Sequence, residues 1–230
     1  MTESAAATPS PESEAPASTV GLDDAYAVDG PEANRELYAA WAPTYESGFI
    51  AESRYIYHQQ VAATFSDGFS DAGPVLDAGC GTGIVGAELR RLGVTAIDGI
   101  DISPEMLAEA RSKSVDGAAV YRELVEADLT GPIDLPDDTY GGIVSAGAFT
   151  HGHLGPESLS ELLRVARRGA HCAIGINSAH FSEFGFEDWL DRRVGEGAIV
   201  GLHFVERPIY DGADLADPDN VTRVAVFRVT

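Results

Sequence analysis

An apolar segment that runs directly into an acidic residue and three alternating glycines constrains this chain more than any other feature. The segment reads VLDAGCGTG over residues 75–83, and an amphipathic stretch follows it at once. Glycine accepts a positive φ and lets a ligand approach the main chain closely. In open α/β sheets, ligands bind beyond the carboxyl ends of the strands. The sequence therefore predicts a buried strand, a ligand-binding turn and a helix, in that order.

Apolar strands and amphipathic helices alternate along most of the chain. The patterns predict strands at 74–78, 96–101, 120–127, 140–145 and 171–177. They predict helices at 84–92, 104–112, 156–165 and about 181–194. Two late strands, at about 203–210 and 221–229, have no helix between them and predict an antiparallel hairpin at one edge. This order predicts an α/β fold, a doubly wound and mostly parallel sheet with helices on both faces.

The first thirty residues differ in composition from the rest. Residues 1–20 are mostly Ala, Ser, Thr, Pro and Glu, which predicts a disordered acidic tail that continues to about residue 30. From Pro31 the pattern changes, because Tyr38, Trp41 and Tyr45 recur at helical spacing and a second helical stretch follows around 55–65. We therefore expect a tail over 1–30 and one folded domain over 31–230.

The charge of the chain limits its partners. Asp and Glu number 37 against 15 Lys and Arg, which gives a net charge of −22. Such a surface repels phosphate backbones and anionic membrane surfaces, so a nucleic acid is an unfavourable partner. The two cysteines, Cys80 and Cys172, exclude a disulfide framework and a four-thiolate metal site. With no basic residue before Arg35 and no long apolar run, we expect a cytoplasmic protein without a membrane segment, and its oligomeric state stays open.

Acidic residues also follow the second and third predicted strands. Asp101 ends the second strand, where its carboxylate could accept both ribose hydroxyls of an adenosine ligand. Asp98 lies in the middle of that strand, so we expect a structural role for it. Asp128 ends the third strand and could accept a hydrogen bond from an adenine amino group, with Leu129 packed on the ring. A turn aspartate is an equal alternative for Asp128.

The glycines allow a second interpretation. Residues 81–86 match the G-x-G-x-x-G pattern of dinucleotide sites, which would make the protein a nicotinamide-dependent oxidoreductase. That pattern should start directly after the strand, however, and here Gly79 already occupies the turn. Gly86 then lies inside the helix, where close packing is the simpler explanation. The alternative therefore stays open but is disfavoured by the register.

Taken together, the segments VLDAGCGTG, IDGIDISPEML, VEADL and GGIVSAG resemble the class I S-adenosylmethionine-dependent methyltransferases, over about residues 31–230. The segment YAAWAPTYE at 38–46 resembles a narrower group, the Williams–Beuren-region methyltransferase-like proteins, although Ala39 and Glu46 replace two aspartates usual there. The resemblance implies a seven-stranded Rossmann-like sheet in the order 3-2-1-4-5-7-6 with an N-terminal helical lid. It also implies methyl transfer from S-adenosylmethionine to a small-molecule acceptor, with S-adenosylhomocysteine as product.

The resemblance also assigns cofactor-binding positions. Asp77 would orient the loop and reach the cofactor amino group through water, and Asp101 would hold the ribose. The other implied positions are Gly79, Cys80 and Gly81 in the loop, Ile102, Met106, Asp128 and Leu129 around the adenine, Ser145 and Ala146 near the sulfonium, and Tyr38, Trp41 and Tyr45 in the lid. Aromatic faces attract a sulfonium cation, although core packing is an equal alternative for Trp41.

Two histidines are candidates for the chemistry. His151 and His153, in the segment THGH after the fourth strand, could line the acceptor pocket or act as a general base. A metal site there is the least favoured interpretation, so we expect no metal. A non-catalytic protein that binds an adenosyl ligand is the second alternative to a methyltransferase.

Overall fold

The computed structural model of the chain describes residues 20–28, 30–70, 73–150 and 153–230. Its helices are α1 (Leu22–Ala27), α2 (Pro31–Trp41), α3 (Tyr57–Gly68), α4 (Ile84–Arg91), α5 (Pro104–Ser112), α6 (Leu159–Val165), α7 (Ser178–Glu183) and α8 (Phe186–Gly195). A π-helical turn at Tyr45–Ile50 follows α2, and 3-10 turns lie at Pro156–Ser158 and Pro218–Asn220. None of these helices has both the length and the apolar character that a membrane crossing requires.

The strands form one large sheet and one small hairpin. They are β1 (Val75–Ala78), β2 (Ile97–Asp101), β3 (Ser114–Val115), β4 (Ala118–Ala119), β5 (Leu124–Glu126), β6 (Tyr140–Phe149), β7 (Ala166–Asn177), β8 (Ile199–Pro208) and β9 (Val221–Val229). The large sheet has seven strands in the order β5-β2-β1-β6-β7-β9-β8, and β3 pairs with β4. Numbered along the chain, the strands of the large sheet therefore follow the expected order 3-2-1-4-5-7-6.

The direction of the strands also agrees with the sequence. Strands β5, β2, β1, β6 and β7 are parallel, whereas β9 runs antiparallel to both β7 and β8. The predicted doubly wound, mostly parallel sheet with an edge hairpin is thus confirmed. Apolar clusters cover both of its faces, one with Phe65 and Leu89 under α3 and α4, the other with Phe149 and Trp189 next to α6 and α8. Burying each of these large side chains stabilises the fold by roughly 1.5–3 kcal/mol.

Local signals place two of the elements that build the site. The hydroxyl of Ser103 accepts a hydrogen bond from the Met106 N–H at 3.2 Å, and Pro104 occupies the first turn, so α5 begins where the sequence predicted. The turn from β1 to α4 uses Gly79 and Gly81 with φ of 68° and 53°. These two turns bring the glycine loop and the end of β2 to the same edge of the sheet.

Some elements differ from their predicted bounds. The predicted third strand 120–127 shortens to β5, because Val120 and Tyr121 turn into the core before the strand begins. The predicted helix near 181–194 is two helices, since Gly185 adopts φ of 71° between α7 and α8. The fifth strand is longer than predicted and begins at Ala166. Long-range packing and one left-handed glycine account for these differences, and neither is visible as a local periodicity.

The N-terminal region has more structure than its composition predicted. Residues 22–27 form α1, and Ala25 in that helix is buried. The predicted disorder therefore does not extend over α1, while residues 1–19 lie outside the described residues. The change of pattern at Pro31 coincides with the first residue of α2.

Candidate functional site

A single cavity joins most of the predicted site residues. It measures about 270 Å³ and lies where β1, β2, β5 and β6 end, under α2 and the π-helical turn. The predicted positions that line it are Tyr38, Tyr45, Gly79, Cys80, Gly81, Asp101, Ile102, Met106, Asp128, Leu129, Ala146 and His153. Residues from five separate segments of the chain thus meet at one edge of the sheet, as the rule for open α/β sheets requires.

The glycine loop forms an open cradle on one side of this cavity. A Cβ added to Gly79 would lie 2.5 Å from Ala148 Cβ, whereas a Cβ added to Gly81 would meet no atom within 4 Å. The space beside Gly81 is therefore available to a ligand, and a side chain there would fill it. Next to it, the hydroxyl of Thr82 is buried on the cavity wall without a hydrogen-bond partner among the described residues. An unpaired buried hydroxyl beside an open cradle fits a polar ligand.

Asp101 connects this loop to the end of β2. Its Oδ2 accepts the Gly81 N–H at 2.8 Å, and its Oδ1 accepts the Ser103 N–H at 2.9 Å. Burial raises the pKa of this carboxyl, and the N–H donors oppose that shift. Since a carboxylate has about four acceptor positions, each oxygen can still accept a ribose hydroxyl.

Asp98 is held away from the cavity. Its carboxylate pairs with Arg122, with Nε to Oδ1 at 3.0 Å and Nη2 to Oδ2 at 2.7 Å. Such a two-point pair fixes the segment before β5 against β2. The structure thus gives Asp98 the structural role that its mid-strand position indicated.

Asp128 is a turn aspartate on the cavity wall, and its contact with an adenine amino group stays a prediction. Its Oδ1 accepts the Thr130 N–H at 2.8 Å, which makes it a turn aspartate. At the same time Asp128, Leu129 and Thr130 all line the cavity. The turn therefore presents a carboxylate and an apolar side chain beside each other on one wall.

Asp77 lies behind the glycine loop and does not line the cavity. It is fully buried, and the hydroxyl of Tyr121 donates a hydrogen bond to its Oδ2 at 2.7 Å. Burial raises the pKa of Asp77 to about 7, and the Asp101 carboxylate adds to the shift, while the Tyr121 hydroxyl opposes it. Its water-mediated contact with a cofactor stays a prediction; in the structure it supports the loop from below.

Tyr121 also explains why residue 86 is a glycine. A Cβ added to Gly86 would lie 2.5 Å from Tyr121 Cζ, and one added to Gly83 would lie 2.8 Å from Tyr121 Cε2. These glycines make room for an aromatic ring of the core. Packing against Tyr121 thus explains Gly83 and Gly86, while the space beside Gly81 stays open to a ligand.

Three other predicted residues stand behind the cavity wall or in the loop turn. Ser145 is fully buried, and its hydroxyl donates to the Ala78 carbonyl at 2.7 Å. Trp41 is 2% exposed and packs against Tyr45 with ring centroids 5.0 Å apart, so the structure favours its core role. Cys80 is buried in the loop, and burial raises the pKa of its thiol well above the usual range, so it is no candidate nucleophile.

Helix α2 and the π-helical turn cover the cavity, and we call them its roof. The candidate base, His153, contacts this roof through Tyr38. Tyr38 Oη lies 2.9 Å from His153 Nε2, and the two rings meet edge to face. His151 lies outside the described residues. Within the parts of the chain that the structure describes, His, Cys, Asp and Glu side chains form no cluster that could hold a metal ion.

Four aromatic or imidazole side chains line the cavity although the sequence did not predict them as site residues. They are Tyr55, His58, His180 and Phe184. His58 stacks on Tyr55 with ring centroids 5.8 Å apart, and burial lowers its pKa to about 4, so the imidazole is neutral at pH 7. His58 lies in α3 and His180 in α7, while Tyr55 precedes α3 and Phe184 follows α7, and no local motif marks any of them. One signal was available, because His180 follows the carboxyl end of β7 just as Asp101 ends β2.

Two ion pairs hold the roof to the rest of the domain. Lys113, the only lysine of the chain, places its Nζ 2.7 Å from Glu46 Oε1 in the π-helical turn. Arg35 in α2 pairs with Glu126 in β5. The roof is thus connected at both edges, although each partly exposed pair contributes only about 0–1 kcal/mol.

Known proteins resemble the chain in sequence and in fold. A family profile described as a methyltransferase domain matches residues 75–169. Human "Methyltransferase-like protein 27" is 29% identical over 172 residues, which cover 72% of this chain and 68% of that protein. The "Ubiquinone/menaquinone biosynthesis C-methyltransferase UbiE" of Geobacter sulfurreducens is 33% identical over 108 residues, 46% of this chain and 42% of that protein. The solved structure of magnesium protoporphyrin IX methyltransferase from Synechocystis, with bound SAH, superposes with a TM-score of 0.60 at 18% identity, covering 87% of this chain and 99% of that one.

The sheet order, the family profile over residues 75–169 and these relatives support a class I S-adenosylmethionine-dependent methyltransferase. The match to a human methyltransferase-like protein is in line with the narrower resemblance of residues 38–46. The chain spans about two thirds of that relative and less than half of the UbiE relative.

Proposed function

We propose that the protein transfers a methyl group from S-adenosylmethionine to a small-molecule acceptor. The observation that carries this proposal is one cavity in which the glycine loop and Asp101 face a second wall of aromatic and imidazole rings. Methyl transfer needs both partners in line and water excluded, and such positioning supplies much of the rate enhancement. A roofed cavity with two unlike walls meets that need.

The residues of the first wall suit the cofactor. Asp101 would accept the ribose hydroxyls, Asp128 and Leu129 would flank the adenine, and the cradle beside Gly81 would take the methionine part. When bound, S-adenosylmethionine supplies an electrophilic methyl group on a positively charged sulfur. These assignments rest on the open cradle at Gly81 and on the remaining acceptor positions of the Asp101 carboxylate.

The second wall suits a small acceptor. Helix α2 and the π-helical turn cover it, and the ion pairs Lys113–Glu46 and Arg35–Glu126 hold this cover in place. A polymer would need an open groove, and the net charge of −22 opposes a nucleic acid.

His153 is our candidate for the general base. Methylation of an N–H or O–H acceptor releases one proton, and an imidazole on the cavity wall is a suitable group to take it. The Tyr38 hydroxyl, 2.9 Å from His153 Nε2, orients the ring. Tyr38 is thus a positioning residue in this scheme and His153 the proton acceptor.

Transfer of an isotope-labelled methyl group tests the proposal. The protein is incubated with methyl-labelled S-adenosylmethionine and a cell extract, the unreacted S-adenosylmethionine is removed by chromatography, and the labelled products are separated into small molecules, lipid, protein and nucleic acid. We expect label in the small-molecule fraction with the native chain and none with a Gly81→Val variant, whose side chain would fill the cradle. Label confined to protein, lipid or nucleic acid would contradict a small-molecule acceptor.

A further inference from the structure

The part of the cavity lining that carries rings has a distinctive composition. We call it the acceptor wall and define it by Tyr38, Tyr45, Tyr55, His58, His153, His180 and Phe184, all of which line the cavity. Each of these side chains presents a ring. The rings continue into the roof, where Trp41 lies 5.0 Å from Tyr45 and Phe49 lies 5.4 Å from Tyr55, centroid to centroid.

Neither lysine nor arginine lines this cavity. Every lysine and arginine of the chain lies within the described residues, and all of them are absent from the lining. Lys113 and Arg35, the cations of the two ion pairs that hold the roof, are paired with Glu46 and Glu126. His58 adds no positive charge at neutral pH, since burial lowers its pKa to about 4. An anion on this wall would lose its hydration without gaining a lysine or arginine partner, which is costly.

The same wall is favourable for other molecules. Ring faces attract cations and pack well against flat apolar groups. Burial and the neighbouring tyrosines raise the pKa of Tyr55 well above its usual range, so its hydroxyl stays protonated. The net charge of −22 attracts cations and repels anions before they reach the cavity.

We infer that the acceptor wall selects a neutral or cationic small molecule with a planar body and rejects an anionic one. This inference rests on the proposed function, because it concerns the acceptor side of the same cavity. It adds a charge preference that a methyltransferase fold alone does not specify.

Three probes that share one ring and differ chiefly in the charge of the end group test this selection. Tyramine, tyrosol and 4-hydroxyphenylacetate share a phenol ring and end in an ammonium, a hydroxyl and a carboxylate. Each is titrated by calorimetry into the protein, free and loaded with S-adenosylhomocysteine. We expect tyramine and tyrosol to bind at least tenfold more tightly than 4-hydroxyphenylacetate. Equal or tighter binding of the carboxylate, or no binding of any probe, would overturn the inference.

This design separates the inference from the proposed function. A protein that takes up no S-adenosylhomocysteine contradicts the proposed function, while the probes titrated into the free protein still report the charge preference. A protein that takes up S-adenosylhomocysteine but favours the carboxylate contradicts only the inference.

A variant with an added positive charge tests whether the missing cation causes the charge preference. Phe184 is 49% exposed at the rim of the cavity, so Phe184→Arg places a cation there with little effect on the core. We expect it to tighten the binding of 4-hydroxyphenylacetate at least fivefold and to weaken that of tyramine. The control is Phe204→Arg, since Phe204 in β8 is 37% exposed and does not line the cavity. Equal effects of the two variants, or none from Phe184→Arg, would show that a missing cation does not set the preference.

Discussion

Two aspartates in one strand differ in what their oxygens contact, and this difference predicts their roles. Asp101 faces the cavity with acceptor positions to spare, whereas both oxygens of Asp98 are occupied by Arg122. Asp101→Ala should weaken S-adenosylhomocysteine binding by about 1.5–3 kcal/mol, as for a hydrogen bond to a charged group. Asp98→Ala should weaken it less, as measured by calorimetry. The reverse ranking would contradict the ribose role of Asp101.

The buried carboxyl of Asp77 predicts a pH-dependent stability. Because its pKa in the folded chain is about 7 instead of 3.8, the folded state holds a proton that the unfolded state has lost. The contribution of Asp77 is therefore largest below pH 4 and is lost as the pH rises through 7. Asp77→Asn removes this pH-dependent loss of stability, because an amide does not ionise.

We expect the free energy of unfolding of Asp77→Asn, relative to the native chain, to be about 2 kcal/mol higher at pH 8 than at pH 5. Urea denaturation at the two pH values measures this difference. The pH dependence that comes from the other titratable groups is the same in both proteins and cancels in the comparison. The same difference at both pH values would show that Asp77 is already ionised at pH 5.

At the scale of single elements, α4 depends on a glycine that would ordinarily weaken a helix. Alanine in place of a helical glycine usually stabilises by about 1 kcal/mol. At Gly86 the added Cβ would collide with Tyr121, so Gly86→Ala should lower the free energy of unfolding by about 1–3 kcal/mol.

Gly195 in α8 is the matched control, because a Cβ there meets nothing within 4 Å. Gly195→Ala should leave the stability unchanged or raise it in the same denaturation experiment. Stabilisation by Gly86→Ala would mean that Tyr121 does not pack against this helix as described.

The roof is the other element whose attachment can be tested. Glu46→Gln breaks the contact with Lys113 and should increase the dissociation rate of S-adenosylhomocysteine about two- to fivefold, which corresponds to a surface pair of about 0.5–1 kcal/mol. Glu88→Gln breaks the pair with Arg91, away from the roof, and should leave that rate unchanged. Stopped-flow displacement measures both rates. Equal rates in the two variants would show that this ion pair does not hold the roof closed.

At the scale of the whole molecule, strand ends could be predicted and helix faces could not. The glycine loop, Asp101 and Ser103 carry local signals, since a tight turn, a strand end and a helix cap each require particular residues. The sheet order followed from the resemblance of these motifs to a family. His58 reaches the cavity because α3 packs beside β6 and β7, and Tyr55, just before α3, is bridged to Tyr210; no local pattern distinguishes either from core residues.

Composition also acts on the molecule as a whole. The chain carries a net charge of −22, yet its cavity is lined by rings on one side and by backbone and two carboxylates on the other. The charge thus limits which molecules approach, while the cavity wall limits which of them are held.

A parallel titration of three ligands tests whether the cavity binds the proposed cofactor. S-adenosylmethionine, S-adenosylhomocysteine and NAD are titrated by calorimetry into the native chain and into a folded Gly81→Val variant. We expect the native chain to bind both sulfur ligands and not NAD, and the variant to bind none of them, because its side chain occupies the open space beside residue 81. Binding of NAD in preference to the sulfur ligands, or unchanged affinity for them in the folded variant, would contradict the proposed cofactor site.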